Sequence, residues 1–152
     1  MDTTTPPARD VCLVVGYDGS PPASRALDTA VKLLQGRNGR MEVVYVAHMP
    51  SMAELSPGAV GELETGFDDV EQELRTMAAE QLQGFGQNWG FERRQGQIAE
   101  ELIAAAKDVG AVHPEATVGI VVGSSSQIAH RIVGSVAVGL ARHSPVPLVV
   151  VP

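Results

Sequence analysis

The sequence predicts an α/β protein whose core is a parallel sheet of five strands covered by helices on both faces. Short runs rich in Val and Ile alternate with segments of helical periodicity along the whole chain. The runs at the first and fourth positions are apolar throughout, as expected of strands that are buried on both faces. Strands that alternate with helices need right-handed crossovers, so these strands are expected to run parallel.

The first half of the chain supplies two strands and two helices. Val11–Val15 is the first predicted strand, and a helix follows it with Ser20 as its N-cap and Pro21 in its first turn. Met41–Ala47 is the second strand. The Pro- and Gly-containing stretch Met49–Phe67 predicts a long connection with a helical turn around 53–55. An apolar stripe then predicts a helix that ends near Gly84–Gly86, with these positions: Phe67, Val70, Leu74, Met77, Ala78, Leu82 and Phe85.

The second half contains three shorter strands. Phe91–Gln95 is polar, which predicts a strand at a sheet edge. A helix over about 97–109 and a buried strand over Val118–Val122 follow. The turn Gly123–Ser126 then leads into a helix from about Gln127 to His143, with Gly134 and Ser135 in its interior, and the last strand is Leu148–Val151.

Two turns lie at the carboxyl ends of strands, where parallel sheets bind ligands. Gly16–Ser20 contains Asp18, which can accept hydrogen bonds from a ligand or can form a local turn with Ser20. Gly123–Ser126 offers hydroxyls and N–H groups before a helix, a composition suited either to holding an anion or to a plain capped turn. His130 and Arg131 either face a phosphate or lie on a solvated helix face.

Composition narrows the class of partner and the compartment. The net charge is −7 with no basic run, which argues against nucleic acid and against an anionic membrane as the main partner. The single Cys12 lies in an apolar strand and is interpreted as a buried structural thiol. Residues 1–9 have no apolar signal core and are expected to form a mobile tail on one domain spanning 10–152, so the cytoplasm is the default compartment.

Several enzyme signatures are absent from the sequence. No Gly-Lys-Ser/Thr follows Gly123, so the turn is not a P-loop, and no G-x-G-x-x-G is present. The nucleophile elbow G-x-S-x-G would need a Gly where Gln127 stands. The four histidines show no paired metal-ligand spacing, and we therefore predict no metal site.

Taken together, these motifs resemble those of the universal stress protein family from Val11 to Pro152. The first strand and helix carry VVGYDGSPPASRALDTA, and the exit of the third strand carries G-Q-I-A-E-E-L-I. The end of the chain carries Gly123, Gly134-Ser135-Val and then A-R-H-S-P-V-P-L-V-V-V. The resemblance implies strand order 3-2-1-4-5 and a homodimer, in which Leu148–Val151 pairs antiparallel with its mate in the second subunit.

The resemblance also implies an adenine-nucleotide site, for ATP with Mg or for AMP. Asp18 and the backbone of Val46 would hold the base, Gly123 the ribose, and Gly134 and Ser135 the phosphates. Contributions are also expected from these residues of the turns and the last helix: Gly16, Ser124, Ser126 and Arg131. The family pattern has a second Gly where this chain has Ser126, and it has nine residues where this chain has the seven of 127–133.

Three functions remain open at the level of sequence. The first is a regulatory module of the stress response that binds a nucleotide between the first and fourth strands, with at most slow ATP hydrolysis. The second is a dimeric interaction protein whose pocket no longer binds a nucleotide. The third is an enzyme such as a hydrolase or nucleotidyl transferase, which the missing signatures disfavour.

Overall fold

A computed structural model of the protein describes residues 10–47, 58–124 and 134–152. In these ranges, strands and helices alternate in the predicted order: β1 (Val11–Gly16), α1 (Pro21–Leu34), β2 (Gly39–Ala47), α2 (Ala59–Gln81), β3 (Asn88–Gln95), α3 (Ile98–Val112), β4 (Thr117–Gly123), α4 (Ser135–His143) and β5 (Leu148–Val151). The strands form one parallel sheet in the order β3-β2-β1-β4-β5. The predicted fold class and strand order are therefore confirmed.

The core consists of two apolar layers, one on each face of this sheet. Alternate residues of β1 point to opposite faces because side chains alternate along a strand. Leu13 and Val15 pack in the layer beneath α1 and α2, whereas Cys12 and Val14 pack in the layer beneath α3 and α4. Cys12 is buried, as predicted, and its burial raises the pKa of the thiol. Helices thus cover both faces, and the cavity described below opens on the α3/α4 side.

Helix α2 starts earlier than the sequence predicted. The stretch Met49–Phe67 was predicted to be a connection, but the helix already begins at Ala59 and runs to Gln81. Gly61 and Gly66 suggested a loop, yet a helix-interior Gly costs only about 1 kcal/mol relative to Ala, and a long helix can absorb that cost. The helical turn predicted at 53–55 lies outside the described residues.

Strand β3 occupies one edge of the sheet, as predicted, but it begins three residues earlier, at Asn88 instead of Phe91. The added residues Trp89 and Gly90 pair with Met41 and Glu42 of β2, a tertiary contact that no local pattern reveals. A Cβ at Gly90 would lie 2.8 Å from the Glu42 carboxylate, so the neighbouring strand accounts for this glycine.

Charged side chains form ion pairs along the β3 edge of the sheet. Arg94 forms ion pairs with Glu92, Glu101 and Asp108 at 3.0–3.1 Å. Arg93 similarly pairs with Asp68 of α2 at 2.6 Å. Such charges on an edge strand discourage pairing with another chain.

Helix α4 begins at Ser135, with Gly134 as its N-cap. The prediction that both residues lie in the interior of the last helix is wrong for Gly134, which has φ −57° and ψ 160° and therefore precedes the helix. The earlier start near Gln127 lies outside the described residues. The helix ends at His143, as predicted, before the Pro residues that lead to β5.

Candidate functional site

A cavity of about 420 Å³ opens at the carboxyl edge of the sheet, between β1 and β4. Its volume is within the range of sites that hold small molecules and cofactors. It is lined by residues from three strands, three helices and the turns beside them: Gly16, Tyr17, Asp18, Ser20, Pro22, Ala23, Val44, Val46, Ile98, Leu102, Val122, Gly123, Ser124, Gly134, Ser135, Val136 and Ala137.

The structure brings together seven of the nine residues that the sequence nominated. The cavity lining includes the following of them: Gly16, Asp18, Val46, Gly123, Ser124, Gly134 and Ser135. Ser126 and Arg131 lie outside the described residues, as does His130. The structure thus places these seven residues around one cavity, and their role in binding a ligand stays a prediction.

The wall of the cavity between β2 and α3 is apolar. Val46, Leu102 and Val122 belong to the apolar layer under α3 and α4. Ile98 is the first residue of α3, and it lines the cavity with 36% of its surface exposed. A flat, weakly polar ring could bury this surface. Sequence reasoning missed the role of Ile98, although its place directly after the exit of β3 was a usable signal.

Asp18 lies directly after β1 and is exposed. Its Oδ1 accepts the N–H of Ser20 at 3.0 Å, which is the local turn foreseen as one of its two alternatives. That bond fixes the carboxylate at the cavity mouth and leaves the second oxygen available to a ligand. The local and the ligand-binding interpretations of Asp18 are therefore compatible.

The start of α1 is closed to ligands, because its first backbone N–H groups are either bonded or absent. Ser20 is the N-cap, as predicted, and its Oγ accepts the N–H of Ala23 at 3.3 Å. Pro21 and Pro22 occupy the first two helical positions and have no N–H to donate. This helix start therefore has few donors left for an anion, although it borders the cavity.

The start of α4 is open by contrast, which means that its first N–H groups are not bonded to a capping side chain of the described residues. Its N-cap is Gly134, and no side chain among the described residues caps it. The N–H groups of Ser135, Val136 and Ala137 have no partner inside the helix, because the first N–H groups of any α-helix lack one. These residues line the cavity, so the donors and the positive end of the helix dipole lie at its border.

Two glycines at the strand ends face opposite sides of the sheet. A Cβ at Gly16 would lie 3.1 Å from Leu102 and 3.2 Å from Val122, on the side of the cavity. A Cβ at Gly123 would lie 2.3 Å from the carbonyl oxygen of Pro22 and 2.7 Å from its Cβ. Gly16 thus keeps the cavity floor clear, whereas Gly123 lets the first turn of α1 rest on the end of β4.

Tyr17 places a second ionisable group beside Asp18. Its side chain is buried in the layer under α1 and α2, on the opposite face from the cavity wall. Burial, together with the nearby negative charge of Asp18, raises the pKa of the phenol above its usual value. The phenol is therefore neutral around pH 7, and Asp18 is the one charged side chain among the described lining residues.

Two further searches were confined to the described part of the chain. There, no group of three or more His, Cys, Asp or Glu side chains lies close enough together to hold a metal ion. No helix in residues 10–47, 58–124 or 134–152 is both long and apolar enough to cross a membrane.

Comparison with protein families gives a match to the universal stress protein family over residues 13–152. The chain belongs to the universal stress protein family. The family assignment made from the strand and turn motifs is thereby confirmed. A comparison with curated proteins found no significant match to this chain.

Solved structures show the same fold. Universal stress protein UspA from Lactobacillus plantarum aligns with a TM-score of 0.75 and 23% identity, covering 95% of this chain and 99% of that chain. A universal stress protein in complex with cAMP aligns with a TM-score of 0.65 and 23% identity, covering 95% and 98%. One from Archaeoglobus fulgidus in complex with dAMP aligns with a TM-score of 0.56 and 16% identity, over the same shares.

Proposed function

We propose that this universal stress protein is a regulatory module of the stress response that binds an adenine nucleotide in the cavity between β1 and β4. One observation carries the proposal: a single cavity is lined by an apolar wall, the carboxylate of Asp18 and the open start of α4. Two structures with the same fold are complexes with adenine mononucleotides, cAMP and dAMP, which supports the choice of ligand class.

The cavity lining offers a suitable place for each part of such a ligand. The base would lie along Val46 and Ile98. The second carboxylate oxygen of Asp18 would accept a hydrogen bond from the amino group of the base. The ribose would lie over Gly123 and Ser124. The phosphate would meet the N–H groups at the start of α4, where anions bind well because donors and the helix dipole act together.

The charge of the described lining favours a monophosphate over a triphosphate. Asp18 is the one charged side chain in the described lining, and it is negative. A helix start supplies the equivalent of about half a positive charge, which suits one phosphate better than three. We therefore propose AMP or a similar monophosphate as the preferred ligand, with ATP and Mg as the weaker alternative.

We propose binding without turnover. The described lining supplies neutral donors, apolar side chains and a carboxylate already bonded to the Ser20 N–H. That set can hold and orient a nucleotide, but it has no His, Lys or Cys to act as a general base or nucleophile. Any ATP hydrolysis is expected to be slow.

We also propose a homodimer formed through β5. Leu148–Val151 lies at the sheet edge opposite β3, and Val149 keeps 36% of its surface exposed. An apolar edge strand invites pairing with another strand. Light scattering of the purified protein tests this directly, because a monomeric mass would contradict it.

Calorimetric titration with AMP, and with ATP in the presence and absence of Mg, tests the nucleotide proposal. The expected result is AMP binding at sub-millimolar Kd. Ser135→Pro removes one N–H donor at a helix position where Pro is tolerated, so we expect AMP to bind about tenfold more weakly. Ser135→Ala is the matched control, because it removes the hydroxyl and keeps the N–H.

No heat change with any of these nucleotides at several millimolar would contradict the proposal and leave the interaction protein as the better account. Equal affinity of Ser135→Pro and wild type would show that the phosphate does not lie at the start of α4. Steady release of phosphate from ATP would restore the enzyme as a candidate.

A further inference from the structure

Helices α3 and α4 approach each other between two small residues. Gly139 lies within α4 and faces Ala99 of α3, and a Cβ built on Gly139 would lie 3.3 Å from the Ala99 Cβ. Non-bonded carbon atoms prefer separations of 3.5–4.0 Å. The two helices therefore lie slightly closer together than a pair of alanines would allow without adjustment.

The contact lies beside the cavity. Ala99 directly follows Ile98, which forms part of the apolar wall. Gly139 stands four residues after Ser135, so it is one helical turn from the open start of α4 and on the same side of the helix. A change in the spacing of the helices at this contact is therefore expected to change the spacing between the apolar wall and the N–H donors.

We infer that the contact between Ala99 and Gly139, hereafter the spacer contact, sets the width of the cavity and makes Gly139 a positioning residue for its ligand. The inference rests on the nucleotide site proposed above. Gly is among the poorest helix formers, so its presence inside α4 calls for a reason, and close approach of α3 supplies one.

A change at the spacer contact can reach the cavity because a helix moves as a rigid element, so a shift of α4 at Gly139 also shifts its start at Ser135. Leu102 of α3 and Leu140 of α4 are fully buried in the same apolar layer. An added methyl group at position 139 is expected to push the helices apart by a few tenths of an ångström, and a larger side chain by more. Gaps of 0.5–1 Å remove a quarter to a half of the dispersion attraction across a contact.

A graded series of variants tests the inference by AMP titration. We expect Gly139→Ala to weaken binding about twofold and Gly139→Val about tenfold, as the gap widens. The exchange Ala99→Gly with Gly139→Ala moves the methyl group to the other helix, and it is expected to bring the affinity back to within about twofold of wild type. Ala is a better helix former than Gly, so unfolding does not explain weaker binding by the first variant.

Gly110→Ala is the control inside α3. Its Cβ would lie 3.8 Å from Val118, which is ordinary contact, so the affinity is expected to stay unchanged. Equal AMP affinity across the series, or failure of the exchange variant to recover, would overturn the inference.

A crystal structure of Gly139→Val separates this inference from the nucleotide proposal. The distance between the Cα atoms of Ile98 and Ser135 is expected to grow, and an unchanged distance would refute the spacer whether or not AMP binds. If wild type binds no nucleotide while the distance grows, the spacer is upheld and the proposed ligand is wrong.

Discussion

Helices α1 and α4 start at the same edge of the sheet, and their first turns are capped in opposite ways. The start of α1 has a serine cap, two prolines and a turn aspartate, so its backbone donors are occupied or absent. The start of α4 has a glycine cap and leaves its first donors free among the described residues. Both starts border the same cavity.

The difference teaches how one edge can combine rigidity with binding. The closed start of α1 holds Asp18 in place and rests on Gly123, so it serves as scaffold for the cavity. The open start of α4 keeps donors that a ligand can satisfy, and no side chain of the described residues caps this helix end. Three substitutions can break or sharpen this contrast.

The largest effect is expected from Gly123→Ala, which breaks the scaffold. The new Cβ would lie 2.3–2.7 Å from the backbone and Cβ of Pro22, and backbone atoms cannot move aside as a flexible side chain can. We expect the free energy of unfolding in urea to fall by about 3 kcal/mol, the upper end of the usual cost of overpacking. Gly110→Ala, in an uncrowded helical position, should raise it by about 0.5–1 kcal/mol. Equal unfolding midpoints for Gly123→Ala and wild type would refute this packing role.

A smaller effect is expected from Ser20→Ala, which opens the closed start. Loss of the hydroxyl leaves the N–H of Ala23 without its acceptor, and we expect a loss of about 1 kcal/mol in unfolding free energy. Ser135→Ala is the matched change at α4, where the hydroxyl caps no N–H group among the described residues, so its effect should stay within a few tenths of a kcal/mol. Similar losses in both variants would show that the two helix starts do not differ as described.

The smallest effect on stability is expected from Gly134→Ser, which closes the open start. The backbone at this position, φ −57° and ψ 160°, suits any residue. A serine there can accept an N–H from the first turn, which should raise the free energy of unfolding by a few tenths of a kcal/mol. The same bond removes a donor from the cavity, so AMP should bind roughly fivefold more weakly. Gly134→Ala adds the Cβ without the oxygen, and an equal loss of affinity in that variant would attribute the effect to bulk.

The sequence predicted those features that local chemistry determines. The buried runs of β1 and β4, the Ser20 cap and the strand order implied by the family motifs all agree with the structure. The buried runs and the cap follow from periodicity and capping, which are properties of neighbouring residues, whereas the strand order was implied by the family resemblance.

The errors have physical causes that a single sequence does not display. Gly61 and Gly66 suggested a break, although a 23-residue helix tolerates both. Trp89 was left out of β3 because its strand is set by pairing with β2. Ile98 was missed at the site because the cavity brings the start of α3 beside strand ends that are distant in the sequence.

The two edges of the sheet differ in a way that limits growth. The β3 edge is covered by ion pairs around Arg93 and Arg94, whereas the β5 edge is short and aliphatic. If two copies join through β5 about a two-fold axis, the combined sheet has ten strands and a charged β3 at each end. Such a sheet offers no further aliphatic edge, so assembly stops at two subunits and does not continue into a fibre.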